Sequence, residues 1–176
     1  GDGSNVTINS GVTIDGTSNA VGVANATNTT LTNNGTISAS DTKGLSNNTN
    51  ASINTLTNSG TISSTNEYGV WNSDGATITT LTNSGNIQSI RNGLYNKSAT
   101  ITTLTNTGNI KATAGKYGLK NVGGTIGTLN NSGTISSTLR WGVYNSNSGV
   151  ITTLINSGTI SSNRAGLRND ATITTL

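Results

Sequence analysis

Cysteine, methionine, histidine, phenylalanine and proline are all absent from the 176 residues. Without cysteine there is no disulfide framework and no thiolate metal site. Without histidine the chain lacks the commonest general base and the commonest transition-metal ligand. Charged residues make up only 9% of the chain, against about 25% in ordinary globular domains. No stretch reaches the roughly 20 apolar residues that a membrane helix needs, and no signal peptide is visible. The nine Lys and Arg residues are scattered without a run, so neither nucleic-acid binding nor membrane insertion of this segment is expected. Low hydrophobicity can signal disorder, but a net charge of +3 and the lack of proline do not fit that reading. Order by repetition does fit, because each repeat then needs only a thin core.

What is present is a repeat. The pattern Ile-x-x-Leu-x-Asn-x-Gly-x-Ile occurs as Ile53, Leu56, Asn58, Gly60 and Ile62, and recurs from Ile78, Ile101, Ile126 and Ile151. An earlier copy has Asn28 in place of the first Ile, and a last one runs from Ile173 to Leu176. Successive Leu positions (31, 56, 81, 104, 129, 154 and 176) are separated by 25, 25, 23, 25, 25 and 22 residues. A second motif, Gly-(Val/Leu)-x-Asn, follows in each period. Its copies begin at Gly44, Gly69, Gly93, Gly118, Gly142 and Gly166, with a further copy assigned to Gly22-Val23-Ala24-Asn25.

Positions two apart, such as Leu56, Asn58, Gly60 and Ile62, carry the strand period, and Thr, Ile, Val and Tyr favour strands. No window has helical spacing. Three short strands are expected per period, around Thr55–Asn58, Thr61–Ser63 and Val70–Asn72. Length changes confined to the gaps between them mark outer turns. Residues 1–27 read as a degenerate N-terminal coil and residues 28–176 as regular coils of a segment of a longer array. The fold class is therefore all-β: a single parallel β-helix (β-solenoid) with three strands per 22–25-residue coil and about seven coils. It is expected to be right-handed, as parallel crossovers are.

Two asparagine columns should run along the stack: Asn33, Asn58, Asn83, Asn106, Asn131 and Asn156, and Asn47, Asn72, Asn96, Asn121, Asn145 and Asn169. Their parity with the neighbouring Leu or Val turns them inward. A lone buried amide is costly, whereas stacked carboxamides can bond along the axis. Asn also tolerates the left-handed backbone of a sharp turn.

The phrases Thr-Leu-Thr-Asn-Ser-Gly-Thr-Ile-Ser-Ser (residues 55–64) and Gly-Val-Tyr-Asn (residues 142–145) resemble the low-complexity repeats of bacterial autotransporter passenger domains of the Asn-Ser-Gly-Thr-Ile type. The resemblance covers residues 28–176. It implies secretion to the bacterial cell surface, a right-handed β-helix stalk, and adhesion or self-association. The expected partners are a protein or glycan on a cell surface or copies of the chain itself, joined laterally or end to end.

Two outer surfaces stand out. Trp71, Tyr95, Lys120, Tyr144 and Arg168 share one position of the second motif, and Tyr68, Tyr117 and Trp141 directly precede its glycine. Such a stripe suits sugar or protein contacts, or serves only to cover the glycine column. The pairs Thr30/Thr32, Thr55/Thr57, Thr80/Thr82 and Thr103/Thr105 form a grid that breaks at Asn130 and Ile155. That grid resembles the faces of ice-binding solenoids, although Thr also serves any soluble strand face. A carbohydrate-active β-helix enzyme is a further alternative. It would need paired acids, and only Asp41 and Glu67 fall near matching positions of adjacent coils. No catalytic residue, cofactor or metal ligand is assigned, and a non-catalytic role is expected.

Overall fold

The computed structural model describes residues 4–176; residues 1–3, including Asp2, lie outside that range. All its elements are strands, and they form three parallel sheets of eight, seven and seven strands, here called A, B and C. Each coil contributes one strand to each sheet in turn. The third coil, for example, consists of Ser52–Asn58 in sheet A, Thr61–Ser64 in sheet B and Tyr68–Ser73 in sheet C. Seven such coils and a final sheet A strand, Thr172–Thr175, make a β-solenoid. The strands run up to three residues beyond the expected ends, because apolar residues on both sides of each turn remain in register.

The repeat positions align as their spacing requires. Leu31, Leu56, Leu81, Leu104, Leu129 and Leu154 pair rung by rung in sheet A. Ile37, Ile62, Ile87, Ile110, Ile135 and Ile160 do the same in sheet B. With Ile53, Ile78, Ile101, Ile126 and Ile151 and the sheet C Leu and Val residues they form one continuous core. Each fully buried aliphatic side chain contributes about 1.5–3 kcal/mol, and four per coil give the thin core that repetition needs.

The asparagines form two axial ladders. In sheet A each Nδ2 donates to the Oδ1 of the next coil, from Asn33 through to Asn156, at 2.7–2.8 Å. In sheet C the ladder runs from Asn47 to Asn169 at 2.8 Å. Every donating Nδ2 also reaches a backbone carbonyl at or beside a turn, as Asn33 does to Thr61 and Asn72 to Thr100. The amides thus help to satisfy buried carbonyls where the chain changes direction. All are fully buried except Asn156 and Asn169 in the seventh coil, which are exposed. The ladder positions lie within strands. The left-handed backbone instead gathers in the turns between sheets C and A, at Asn25, Asn28, Thr49, Asn50, Asp74, Ser98, Asn147 and Ser148. The ladder asparagines, contrary to expectation, therefore serve no left-handed turn.

The first coil departs from the motif copy assigned to it. Val21 pairs with Leu45, Gly22 with Ser46 and Val23 with Asn47, so Gly22-Val23-Ala24-Asn25 stands two residues out of step with the second motif. Core filling decides this register, since it places Val21 and Val23 on the inner face. As a result Ile8 and Val23 occupy the rungs before Asn33 and Asn47. The ladders start there, and the Oδ1 atoms of Asn33 and Asn47 are buried without a donor.

Candidate binding face

The outer face of sheet C carries two parallel side-chain columns three residues apart. One holds Ser46, Trp71, Tyr95, Lys120, Tyr144 and Arg168, as its spacing implied. The other holds Lys43, Tyr68, Asn92, Tyr117, Trp141 and Ala165. Both columns face outward because the chain bends at the intervening glycine. A Cβ on Gly69 or Gly93 would run into the backbone of the neighbouring sheet B strand, at Gln88 or Lys111 respectively. The glycine column therefore faces the interior, and covering it is not what the rings do.

The rings pack on one another. Tyr68, Trp71 and Tyr95 form one cluster with centroid separations of 4.8–5.4 Å. Tyr117, Trp141 and Tyr144 form a second at 4.7–5.5 Å. Lys120 bridges them, its Nζ 4.7 Å from the Tyr95 centroid and 5.0 Å from that of Tyr117. Arg168 lies 4.6 Å over Trp141 at one end, and Lys43 lies 5.5 Å over Trp71 at the other. Six rings and their cations thus form one strip. Each ring pair adds about 0.5–1.5 kcal/mol and each exposed cation–π contact about 0.5–1 kcal/mol. Tyr95, Tyr117 and Trp141 are buried in this packing, while Tyr68, Trp71 and Tyr144 are partly exposed.

The electrostatics follow the packing. Burial, and then the neighbouring Glu67 carboxylate, raise the Tyr68 pKa above 10.0, with Arg91 opposing. Burial raises that of Tyr95. Burial lowers the Lys120 pKa below 10.5, helped by the positive charges of Lys116, Arg91 and Lys97.

A third column, along the turn before sheet C, was not foreseen. Glu67, Arg91, Lys116, Arg140 and Arg164 each stand two residues before the motif glycine. The backbone bonds Asn92 N to Glu67 O, Tyr117 N to Arg91 O, and Trp141 N to Lys116 O show the same alignment. The signal was a charge at one fixed offset, hidden because the preceding turn varies in length. Eight of the nine basic residues lie on sheet C or on turns next to it; only Lys111 is elsewhere. Glu67 pairs with Arg91 at 3.1 Å and Lys43 at 3.8 Å. Asp41 stacks beside Asn66 rather than Glu67, its Oδ1 accepting from Asn66 Nδ2 at 3.2 Å. The supposed acid pair is thus out of step by one residue, and Glu67 is held between two cations.

The second surface is on sheet A. Thr30, Thr55, Thr80, Thr103, Thr128 and Thr153 form one unbroken column. Thr32, Thr57, Thr82 and Thr105 form another that ends at Asn130 and Ile155. All ten Thr are partly exposed.

The structure defines the chain as a parallel β-solenoid whose decorated face is sheet C. No protein-family model, curated protein or solved structure matches the chain.

Proposed function

We propose that this chain is a non-catalytic, extracellular structural and adhesive segment of a bacterial surface protein, presenting sheet C to a partner. The observation that carries this reading is the continuous strip of six rings and interleaved cations, held in register across four coils. Aromatic residues and Arg are enriched in recognition surfaces, and rings on a rigid sheet lose little entropy on binding. The solenoid supplies the rigidity, since Trp71, Tyr95, Lys120 and Tyr144 each stand beside a buried Val or Leu in the same strand. The extracellular placement rests on the resemblance of residues 28–176 to autotransporter passenger repeats. The absence of cysteine accords with it without requiring it.

The test uses the least disruptive truncation. Ser46 already occupies the Trp71 column, so Trp71→Ser with Tyr144→Ser keeps a residue the column accepts. Latex beads coated with the chain should clump, or adhere to an immobilised mucin layer. Beads coated with the double variant should do neither, while far-UV circular dichroism keeps its β signature. Equal clumping or adhesion by variant and parent would remove this reading.

One observation favours a second reading. Among the described residues, the hydroxyls of the ten outward Thr on sheet A make no hydrogen bond within the protein. They repeat about every 4.8 Å along the stack and about 6.7 Å along the strand. Such a lattice suits ordered water and hence ice. Measurable thermal hysteresis, lost in Thr80→Tyr, would support this reading; ice growth identical to buffer would dismiss it.

A further inference from the structure

The strip on sheet C has one gap. In the column Tyr68–Asn92–Tyr117 a short amide stands where both neighbours carry rings. The gap is a cleft of about 150 Å³, with Asn92 and Tyr95 at its base and Tyr68 and Tyr117 as walls. Arg91, Lys116 and Lys120 complete its lining. Two features distinguish it from surface relief. Asn92 lines it with a carboxamide that makes no hydrogen bond with the described residues and is not sealed from solvent, so a donor and an acceptor are open to the cleft. The positive charge around the cleft is also poorly balanced: Glu67 neutralises Arg91, while Lys97, Lys116 and Lys120 have no acidic partner among the described residues. Burial, and then the positive charges of Lys116, Arg91 and Lys97, lower the Lys120 pKa, an arrangement that an anion would relieve.

We propose that this cleft binds one negatively charged sugar of an acidic polysaccharide, such as a uronate. Lys116 and Lys120 meet its carboxylate and Asn92 its hydroxyls, between the Tyr68 and Tyr117 side chains. This deepens the adhesive reading of sheet C and rests on it. The volume suits one sugar ring, and the amide supplies both a donor and an acceptor for hydroxyls. Nucleic acid fits less well, because it needs open ring faces for successive bases. Here the rings of each cluster already cover one another.

The experiment is isothermal titration of the chain with tetragalacturonate, with its fully methyl-esterified form, and with an oligothymidylate of equal charge. The acidic tetrasaccharide should bind, and its affinity should fall with added salt. The neutral ester should bind at least tenfold more weakly. Asn92→Tyr, which fills the gap with the ring found on either side, should abolish uronate binding while keeping the β signature. Lys116→Gln with Lys120→Gln should weaken it at least tenfold. Equal affinity for acid and ester, undiminished binding by Asn92→Tyr, tighter binding of the oligothymidylate, or no binding of the acid would each overturn the proposal. None of these outcomes touches the bead test, which depends on Trp71 and Tyr144 outside the cleft, so the two readings fail separately.

Discussion

Replacing Asn106 by aspartate in mid-stack tests the ladder most sharply, because the change is nearly isosteric. Asn106 accepts from Asn83 Nδ2 at 2.8 Å and donates to Asn131 Oδ1 at 2.7 Å, and also to the carbonyls of Gly108 and Thr134 at 3.2 Å. In the variant an oxygen replaces Nδ2 and faces three acceptors. The protonated carboxyl can donate to only one of them, so about one buried hydrogen bond is lost, costing about 1–1.5 kcal/mol. The ionised form suffers both desolvation and repulsion from those oxygens, which raise its folded pKa above the unfolded value of about 3.9. A rise of about 3 units adds roughly 4 kcal/mol at neutral pH. The sign follows from proton counting: between the two pKa values the folded state binds more protons. Stability relative to the parent therefore falls as pH rises from about 4 to the folded pKa, and is level above it. Urea melts followed by circular dichroism should place the variant about 2–5 M below the parent at pH 7, at roughly 1–3 kcal/mol per M, and much nearer to it in acid. Midpoints are compared because a stack can unfold in parts. Asn106→Leu should cost about 1–3 kcal/mol at every pH, since it leaves Asn131 Oδ1 without its donor. A pH-independent deficit for Asn106→Asp would refute the ladder's role; so would parent-like melting of both variants.

Two further outcomes follow from the geometry. Gly108→Ala should destabilise by more than about 3 kcal/mol, because the new Cβ meets the carbonyl of Gly85 one coil below and forces the coils apart. Gly123→Ala, with φ of 60° but no contact tighter than 3.3 Å, should cost only about 1 kcal/mol; thermal melting that reverses this order would contradict the account. In alkali Tyr68 and Tyr95 should lower stability as pH rises above 10.0, since they hold their protons more tightly when folded, while Lys120, its pKa lowered, opposes them. Tyr95→Phe should flatten that fall in pH-dependent urea melts, and an unchanged slope would count against burial as the cause.

Much of this was legible because the same residues recur at the same rung. The Leu, Ile and Asn columns each repeat a single chemistry, so period and parity together place them inside. The glycine column was placed by its spacing, but its direction was not, because a bend between strands breaks the alternation on which parity depends. The first coil was misaligned because Gly22-Val23-Ala24-Asn25 matches the motif letter for letter. Only the need to bury Val21 and Val23 reveals the shift. The cleft was invisible for another reason. It is made by Asn92, the residue that breaks the Tyr68–Tyr117 column, and by turn cations whose offset is fixed only from the downstream glycine.

The two outer faces differ in how far they repeat, and that difference carries information. Nothing in the ladder mechanism constrains an outward side chain, so an unused outer column should drift toward whatever a strand tolerates best. Sheet A does this, with Thr at six successive rungs of one column. Sheet C does not: its column runs Ser46, Trp71, Tyr95, Lys120, Tyr144, Arg168, with a different partner beside each ring. Bulky rings and a half-buried lysine are poor choices for a merely soluble face. A binding role accounts for both the rings and the unbalanced cations. A purely structural role accounts for the rings and for Lys120, which bridges them, but leaves the unpaired charge of Lys116 and the gap at Asn92 without a reason.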